Sequence, residues 1–188
     1  MHGENMMERI ISIGGAAGTG KTTIAHKICY IYDISQRIGT GFIREVVKAE
    51  TNNPYLNYNT YQPAFSKTSY ENLVWQTNAI SRAINSCIDR AVREGTSLVV
   101  EGTHMIPWIL NNTNVTHSMI LYVRNEARHF KMINGGTHTK REISKEDFKE
   151  VRKIQDELVS NAKFSGVPLI EVGRDEIKVI EDIQEVIR

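Results

Sequence analysis

Residues 9–32 read RIISIGGAAGTGKTTIAHKICYIY, and residues 15–22 within them spell GAAGTGKT, which satisfies G-x-x-x-x-G-K-[ST] at every required position. Ahead of this loop, Ile10, Ile11 and Ile13 form a short apolar run suited to a buried parallel strand. Behind it, Ile24, Ala25, Ile28, Cys29 and Tyr32 recur at helical spacing. The alternative is a glycine-rich turn with an incidental lysine. The complete pattern, in its strand–loop–helix context, outweighs it.

The residue types suit anion binding. Glycines at 15, 18 and 20 let the backbone reach positive φ and approach an anion without a Cβ in the way. Loop amides and the N-terminus of the next helix then direct positive dipole at phosphate. Gly15, Ala16, Ala17, Gly18, Thr19, Gly20, Lys21, Thr22 and Thr23 are the expected ATP contacts. Lys21 neutralises the β and γ oxygens, and the Thr22 hydroxyl holds Mg²⁺.

The 188 residues suit one α/β domain over the whole chain, with a small helical lid. A net charge of +1, with acids and bases mixed, gives no basic face for nucleic acid. Cys29 and Cys87 fall on apolar helix faces and read as packed thiols of a reducing compartment. The first residues, MHGENMME, lack a signal-peptide core, and no apolar run approaches the roughly 20 residues of a membrane span. A cytoplasmic protein is expected, with no membrane partner; a homodimer is left open.

Beyond the first helix, residues 34–38 are expected as a strand and residues 42–50 as a helix. Residues 51–67, rich in Asn, Tyr and Pro, have no period, and the span 51–70 is expected to cover an acceptor. Residues 68–94 form a long helix with Leu73, Thr77, Ile80, Ile84, Ile88 and Ala91 on one stripe. Strands follow at 98–100, 118–123 and 168–172. Helices are expected at 125–134 and 144–163, and at 175–188 with Ile177, Ile180, Ile183 and Ile187 inward; Trp75 and Trp108 are assigned to the core. The alternation predicts a mostly parallel five-stranded sheet with helices on both faces, as in nucleoside-monophosphate kinases, and a lid at 124–145. Ligands then sit beyond the carboxyl ends of the strands.

No N-K-x-D segment marks a guanine-reading switch, and no strand ends in the Asp-Glu of a transport ATPase. A small-molecule kinase remains. Glu101, closing a buried strand, is the expected second Mg²⁺ ligand and orients an acceptor hydroxyl; capping the next turn is its alternative role. Arg124 and Arg128, four apart, form a cationic face for the triphosphate, with Arg128 stabilising the transferring charge; a solvated basic helix fits them as well. Lys140 and Arg141 follow in the break. Arg44 and Arg82 are expected to clamp an anionic acceptor. His104 either touches the acceptor or is a hydrogen-bonded structural histidine, and the other five histidines show no metal spacing.

The segments GGAAGTGKTTIA, IGTGFIREVV, RAVREGTSLVVEGTHMIP and SKEDFKEVRKIQDEL together resemble the 2-phosphoglycerate kinase family of archaeal P-loop kinases. The resemblance spans residues 10–172 and implies ATP, Mg²⁺ and a small phosphorylated hydroxy acid as ligands. Members usually carry an Asp before I-R-E, where this chain has Gly41 and Phe42, and an additional N-terminal domain. In these respects the chain resembles the branch of mevalonate 3-phosphate 5-kinase, an isoprenoid-pathway activity. Phe42, Tyr55, Leu56 and Tyr58 would suit its more apolar acceptor. 2-Phosphoglycerate is the alternative acceptor, and an ATP-dependent regulatory or binding protein is the alternative outside kinases.

Overall fold

A computed structural model describes residues 8–135 and 142–188. Lys140, Arg141 and most of the glycine-rich break in the expected lid lie outside the described residues. The strands are β1 (Ile10–Gly15), β2 (Gln36–Gly39), β3 (Leu98–Glu101), β4 (His117–Tyr122) and β5 (Leu169–Glu171). The helices are α1 (Lys21–Ile31), α2 (Thr40–Glu50), α3 (Ser69–Arg93), α4 (Pro107–Leu110), α5 (Glu126–Asn134), α6 (Lys145–Phe164) and α7 (Glu176–Ile187). A 3₁₀ turn at Pro54–Asn57 lies in the span between α2 and α3.

All strand pairings are parallel, in the order β2-β3-β1-β4-β5. A parallel sheet is buried on both faces, and alternation of side chains divides its apolar residues between them. Ile11, Ile13, Met119 and Leu121 pack with Ile24 and Ile28 of α1 and Ile183 and Ile187 of α7. Ile10, Leu98 and Val100 turn to the other face and meet Ile80, Ile84 and Ile88 of α3. Ile120 joins Leu73 of α3 and Val151, Ile154 and Leu158 of α6. The chain moves outward from β1 to β2, returns to β3, then crosses to β4 on β1's other side. Such a reversal leaves a crevice above the carboxyl end of β1.

Capping fixes where the helices begin. Thr68 Oγ1 accepts from Glu71 N at 3.2 Å while Glu71 Oε2 accepts from Thr68 N at 2.8 Å, a capping box that starts α3. Ser144 does the same one-sidedly for α6, and Asp175 for α7. Helices α1, α2 and α4 have neither a side-chain cap nor an acid in the first turn. Among these three, α1 begins at a left-handed glycine, Gly20. Those amides are left for something else.

Several expectations are corrected. Ile177 is 70% exposed, because Val179, Ile183 and Ile187 form the buried stripe of α7. Trp75 is 48% exposed and stacks on Tyr55 at 5.1 Å instead of entering the core. Helix α2 starts at Thr40, two residues before the expected point, and the single-turn α4 was not expected. Cys29 and Cys87 are free thiols. Among the described residues, no helix is long and apolar enough to cross a membrane.

Ile80 is fully buried, so Ile80→Ala should cost about 2–5 kcal/mol in urea denaturation, whereas Ile177→Ala should change stability by under about 0.5 kcal/mol.

Candidate active site

Above the carboxyl ends of β1, β2 and β3 lies a cleft of about 730 Å³, within the usual range for small-ligand sites. One wall is the glycine-rich loop, through Ala17, Gly18, Gly20, Lys21, Thr22 and Thr23. Gly15, Ala16 and Thr19 form its inner side: Ala16 and Thr19 are fully buried, and Thr19 Oγ1 donates to the Ala16 carbonyl at 2.9 Å. Lys21 Nζ donates to the same carbonyl at 2.6 Å, so its ammonium is curled inside the loop it would serve. Gly18 permits the close approach of α5. A Cβ there would lie 2.5 Å from Ile133 Cβ, and φ is +77°.

The opposite wall comes from the ends of β2 and β3 and the start of α2. Glu101 is buried, and its Oε1 accepts from Thr22 Oγ1 at 3.0 Å and from Arg37 Nη1 at 3.0 Å. A hydroxyl and a carboxylate side by side at the loop's end are hard oxygen donors of the kind Mg²⁺ takes together with phosphate and water. The donor set fits that cation. Gly102, at φ +152°, lets α2 come close, since a Cβ there would lie 1.8 Å from Thr40 Oγ1.

Behind this wall runs a buried polar chain. Gln76 Nε2 donates to the Tyr58 carbonyl at 3.1 Å, which leaves Gln76 Oε1 to accept from His104 Nε2 at 3.2 Å. The bare Nδ1 of His104 then accepts from the Thr40 hydroxyl at 3.3 Å. Arg44 Nη1 reaches the same Tyr58 carbonyl at 3.3 Å, and Arg44 also pairs with Glu45. His104 is thus both a hydrogen-bonded structural histidine and a residue on the cleft wall. Burial, and then the charges of Arg44 and Lys21, push its imidazole down to about 3.

The expected residues divide. Lys21, Thr22, Phe42, Arg44, Glu101 and His104 line one cleft. Arg82 is corrected: it is exposed on α3 and does not line it. Arg124 is corrected too: it does not line the cleft, and its guanidinium turns to Glu171, the last residue of β5, at 3.0 Å. Arg128 is exposed on α5, one turn before the cleft-lining Met132, and its stem runs past Gly173. From the span 51–70, residues 59–61 line the cleft. Tyr55, Leu56 and Tyr58 instead fasten the span down: Leu56 is buried beside α3, Tyr55 stacks on Trp75, and Tyr58 supplies its carbonyl.

Two residues escaped sequence reasoning. Arg37 sits mid-strand in a sequence with no motif around it, and only the parallel register Gly39↔Glu101 shows that it reaches Glu101. His129 is fully buried on α5, and its Nε2 donates to the Ala17 carbonyl at 2.8 Å. Arg152 Nη1 of α6 donates to His129 Nδ1 at 3.3 Å and to the Val123 carbonyl at 2.7 Å. The loop is therefore tied to the helices on both sides of the break. Burial pulls the His129 imidazole down to about 4, although the Ala17 carbonyl opposes this.

Comparison with known proteins follows the same lines. No family model matches the chain. It is 32% identical to the 2-phosphoglycerate kinase of Pyrococcus horikoshii over 94% of this chain and 64% of that protein. It is 31% identical to the one from Methanopyrus kandleri over 86% and 55%, and 28% identical to the one from Methanocaldococcus jannaschii over 94% and 61%. The chain thus spans between 55% and 64% of the length of these relatives. Among solved structures, a gluconokinase from Sinorhizobium meliloti 1021 superposes with a TM-score of 0.56 at 11% identity, covering 94% of this chain and 89% of that one. The fold is an α/β P-loop kinase fold.

Both buried histidines stay neutral in the folded protein, while in the unfolded chain they take a proton near the ordinary 6.5. Between about pH 6.5 and 4 the unfolded state then binds more protons, so stability falls as pH falls, by about 1.4 kcal/mol per pH unit for each of them. Urea titrations from pH 7 to pH 5 should show that loss, and replacing His104 and His129 together by glutamine should flatten it.

Proposed function

We propose that this chain is an ATP-dependent kinase that phosphorylates the free hydroxyl of a small phosphorylated hydroxy acid, with 2-phosphoglycerate as the first-ranked acceptor. The observation that carries the reading is the two-sided cleft. A phosphate loop with Lys21 and Thr22 forms one wall, and Arg37 and Arg44 stand on the other around the buried Glu101. Cations on both walls suit a triphosphate facing an acceptor that is itself anionic. The relatives named 2-phosphoglycerate kinase support the same acceptor class and favour it over mevalonate 3-phosphate.

In this reading the amides of residues 15–23, opened by the uncapped start of α1, receive the phosphates. The Lys21 ammonium leaves the Ala16 carbonyl for the β and γ oxygens. Thr22 and Glu101 would hold Mg²⁺, which would supply charge neutralisation to the phosphates. Arg44, steadied by the Tyr58 carbonyl, meets the acceptor's carboxylate or phosphate and leaves its hydroxyl beside Glu101. The chain has Gly41 and Phe42 where relatives of this kind usually hold an Asp, so no carboxylate stands there as a base. Transfer through a loose transition state depends chiefly on alignment and charge stabilisation, and tolerates that loss.

One observation favours a second reading. Phe42 lines the cleft mouth and is 80% exposed, an apolar ring where a longer, methyl-bearing acceptor would rest. Mevalonate 3-phosphate has that shape.

A coupled ADP-release assay comparing 2-phosphoglycerate, glycerate, mevalonate 3-phosphate and mevalonate separates these. The expected order puts 2-phosphoglycerate first, with no turnover by Lys21→Ala despite an unchanged circular dichroism spectrum. Preference for mevalonate 3-phosphate reverses the ranking. ATP binding with no phosphorylated acceptor would instead favour a regulatory binding protein, and an active Lys21→Ala variant would overturn the site.

A further inference from the structure

A single carboxylate oxygen at the centre of the cleft serves two partners. Glu101 Oε1 accepts from Thr22 Oγ1 and from Arg37 Nη1, each at 3.0 Å. The Arg37 side chain is 28% exposed on the cleft wall, and Glu101 is its one partner among the described residues. Arg44, the other cleft arginine, is held elsewhere, by the Tyr58 carbonyl and Glu45. Thr22 and Glu101 are also the two side chains fitted to hold a divalent cation. A cation drawing on that oxygen stands next to the guanidinium, where like charges repel and the carboxylate's charge is shared.

We propose that Arg37 is an acceptor-binding residue made available by the loading of the metal–nucleotide site. Without metal and nucleotide, its guanidinium balances the buried Glu101 carboxylate, which would otherwise lie uncompensated in the cleft wall. With the cation on Thr22 and Glu101, that duty ends. The guanidinium turns from the carboxylate into the cleft and takes an anionic group of the acceptor through its planar fork. Arg37 lies on β2 and lines the same cleft as Gly39, Thr40 and Arg44. Two consequences follow. Acceptor affinity rises when metal and nucleotide are bound, and by reciprocity the acceptor strengthens metal–nucleotide binding by the same factor. The inference rests on the kinase reading above and adds to it an order in which the ligands assist one another.

Calorimetric titration of the whole chain with 2-phosphoglycerate, with and without Mg²⁺ and β,γ-methylene-ATP, tests this by binding alone. The wild type should bind 2-phosphoglycerate at least fivefold more tightly in the presence of the magnesium–nucleotide. In Arg37→Ala that ratio should fall to about one, through a loss of affinity for 2-phosphoglycerate in the loaded state, while affinity for the magnesium–nucleotide does not weaken. Arg37→Lys keeps the charge but not the fork; it should give an intermediate ratio and serves if the alanine variant fails to fold. A ratio near one in the wild type, or an undiminished ratio in both variants, overturns the inference and leaves the kinase reading standing. Weakened nucleotide binding with unchanged acceptor binding in Arg37→Ala also overturns it, making Arg37 a support for Glu101 only. If the wild type binds the magnesium–nucleotide but no 2-phosphoglycerate, the acceptor reading fails and the inference falls with it.

Discussion

The site depends on a helix terminus left without a side-chain cap beyond the end of the central strand. Helices α3, α6 and α7 each begin with a side chain that accepts from their first-turn amides, whereas α1 begins at a left-handed glycine with no such cap. Those donors face a cleft beyond the end of β1, the central strand of the sheet. An uncapped terminus there is a standing cost that a bound anion offsets. Around it the fold supplies rigid support, with the sheet below, α5 against Gly18, and the Thr22–Glu101 hydrogen bond joining the first turn of α1 to the end of β3.

Holding that terminus in place takes buried polar groups, and each is paired. The loop's Ala17 carbonyl is fixed by His129, which is fixed in turn by Arg152. On the acceptor wall, Gln76 and His104 carry a chain of hydrogen bonds from the Tyr58 carbonyl to the Thr40 hydroxyl. Both imidazoles are neutral by burial, so each offers one donor and one acceptor and its tautomer is set by its neighbours. A lysine or arginine at either position would bring a charge into a network with no counter-ion. These chains reach helices on both sides of the cleft, so the two walls are positioned by polar contacts as well as by apolar packing.

Much of this is legible in the sequence because the signals are local. The phosphate loop is contiguous, the α3 stripe from Leu73 to Ala91 keeps strict helical spacing, and Thr68 with Glu71 announces the helix start. The sheet's parallel pairing and its two covered faces follow from alternation of elements, whereas the strand order does not. The remainder depends on pairing between distant strands. Arg37 meets Glu101 only through the register of β2 on β3, and His129 meets Ala17 only after α5 has folded back over the loop. Arg82 and Arg124 were assigned to the cleft, but charge does not fix direction: Arg124 pairs with Glu171. The aromatic residues between α2 and α3 mislead for a related reason, since Tyr55 and Trp75 satisfy each other by stacking on the surface.

The most direct test of the central claim is a crystal structure of the chain with Mg²⁺ and a non-hydrolysable ATP analogue. The account predicts the triphosphate against the amides at the start of α1, the Lys21 ammonium moved from the Ala16 carbonyl onto phosphate oxygens, and the cation beside Thr22 and Glu101. Nucleotide bound elsewhere, with Lys21 still on Ala16, would contradict it.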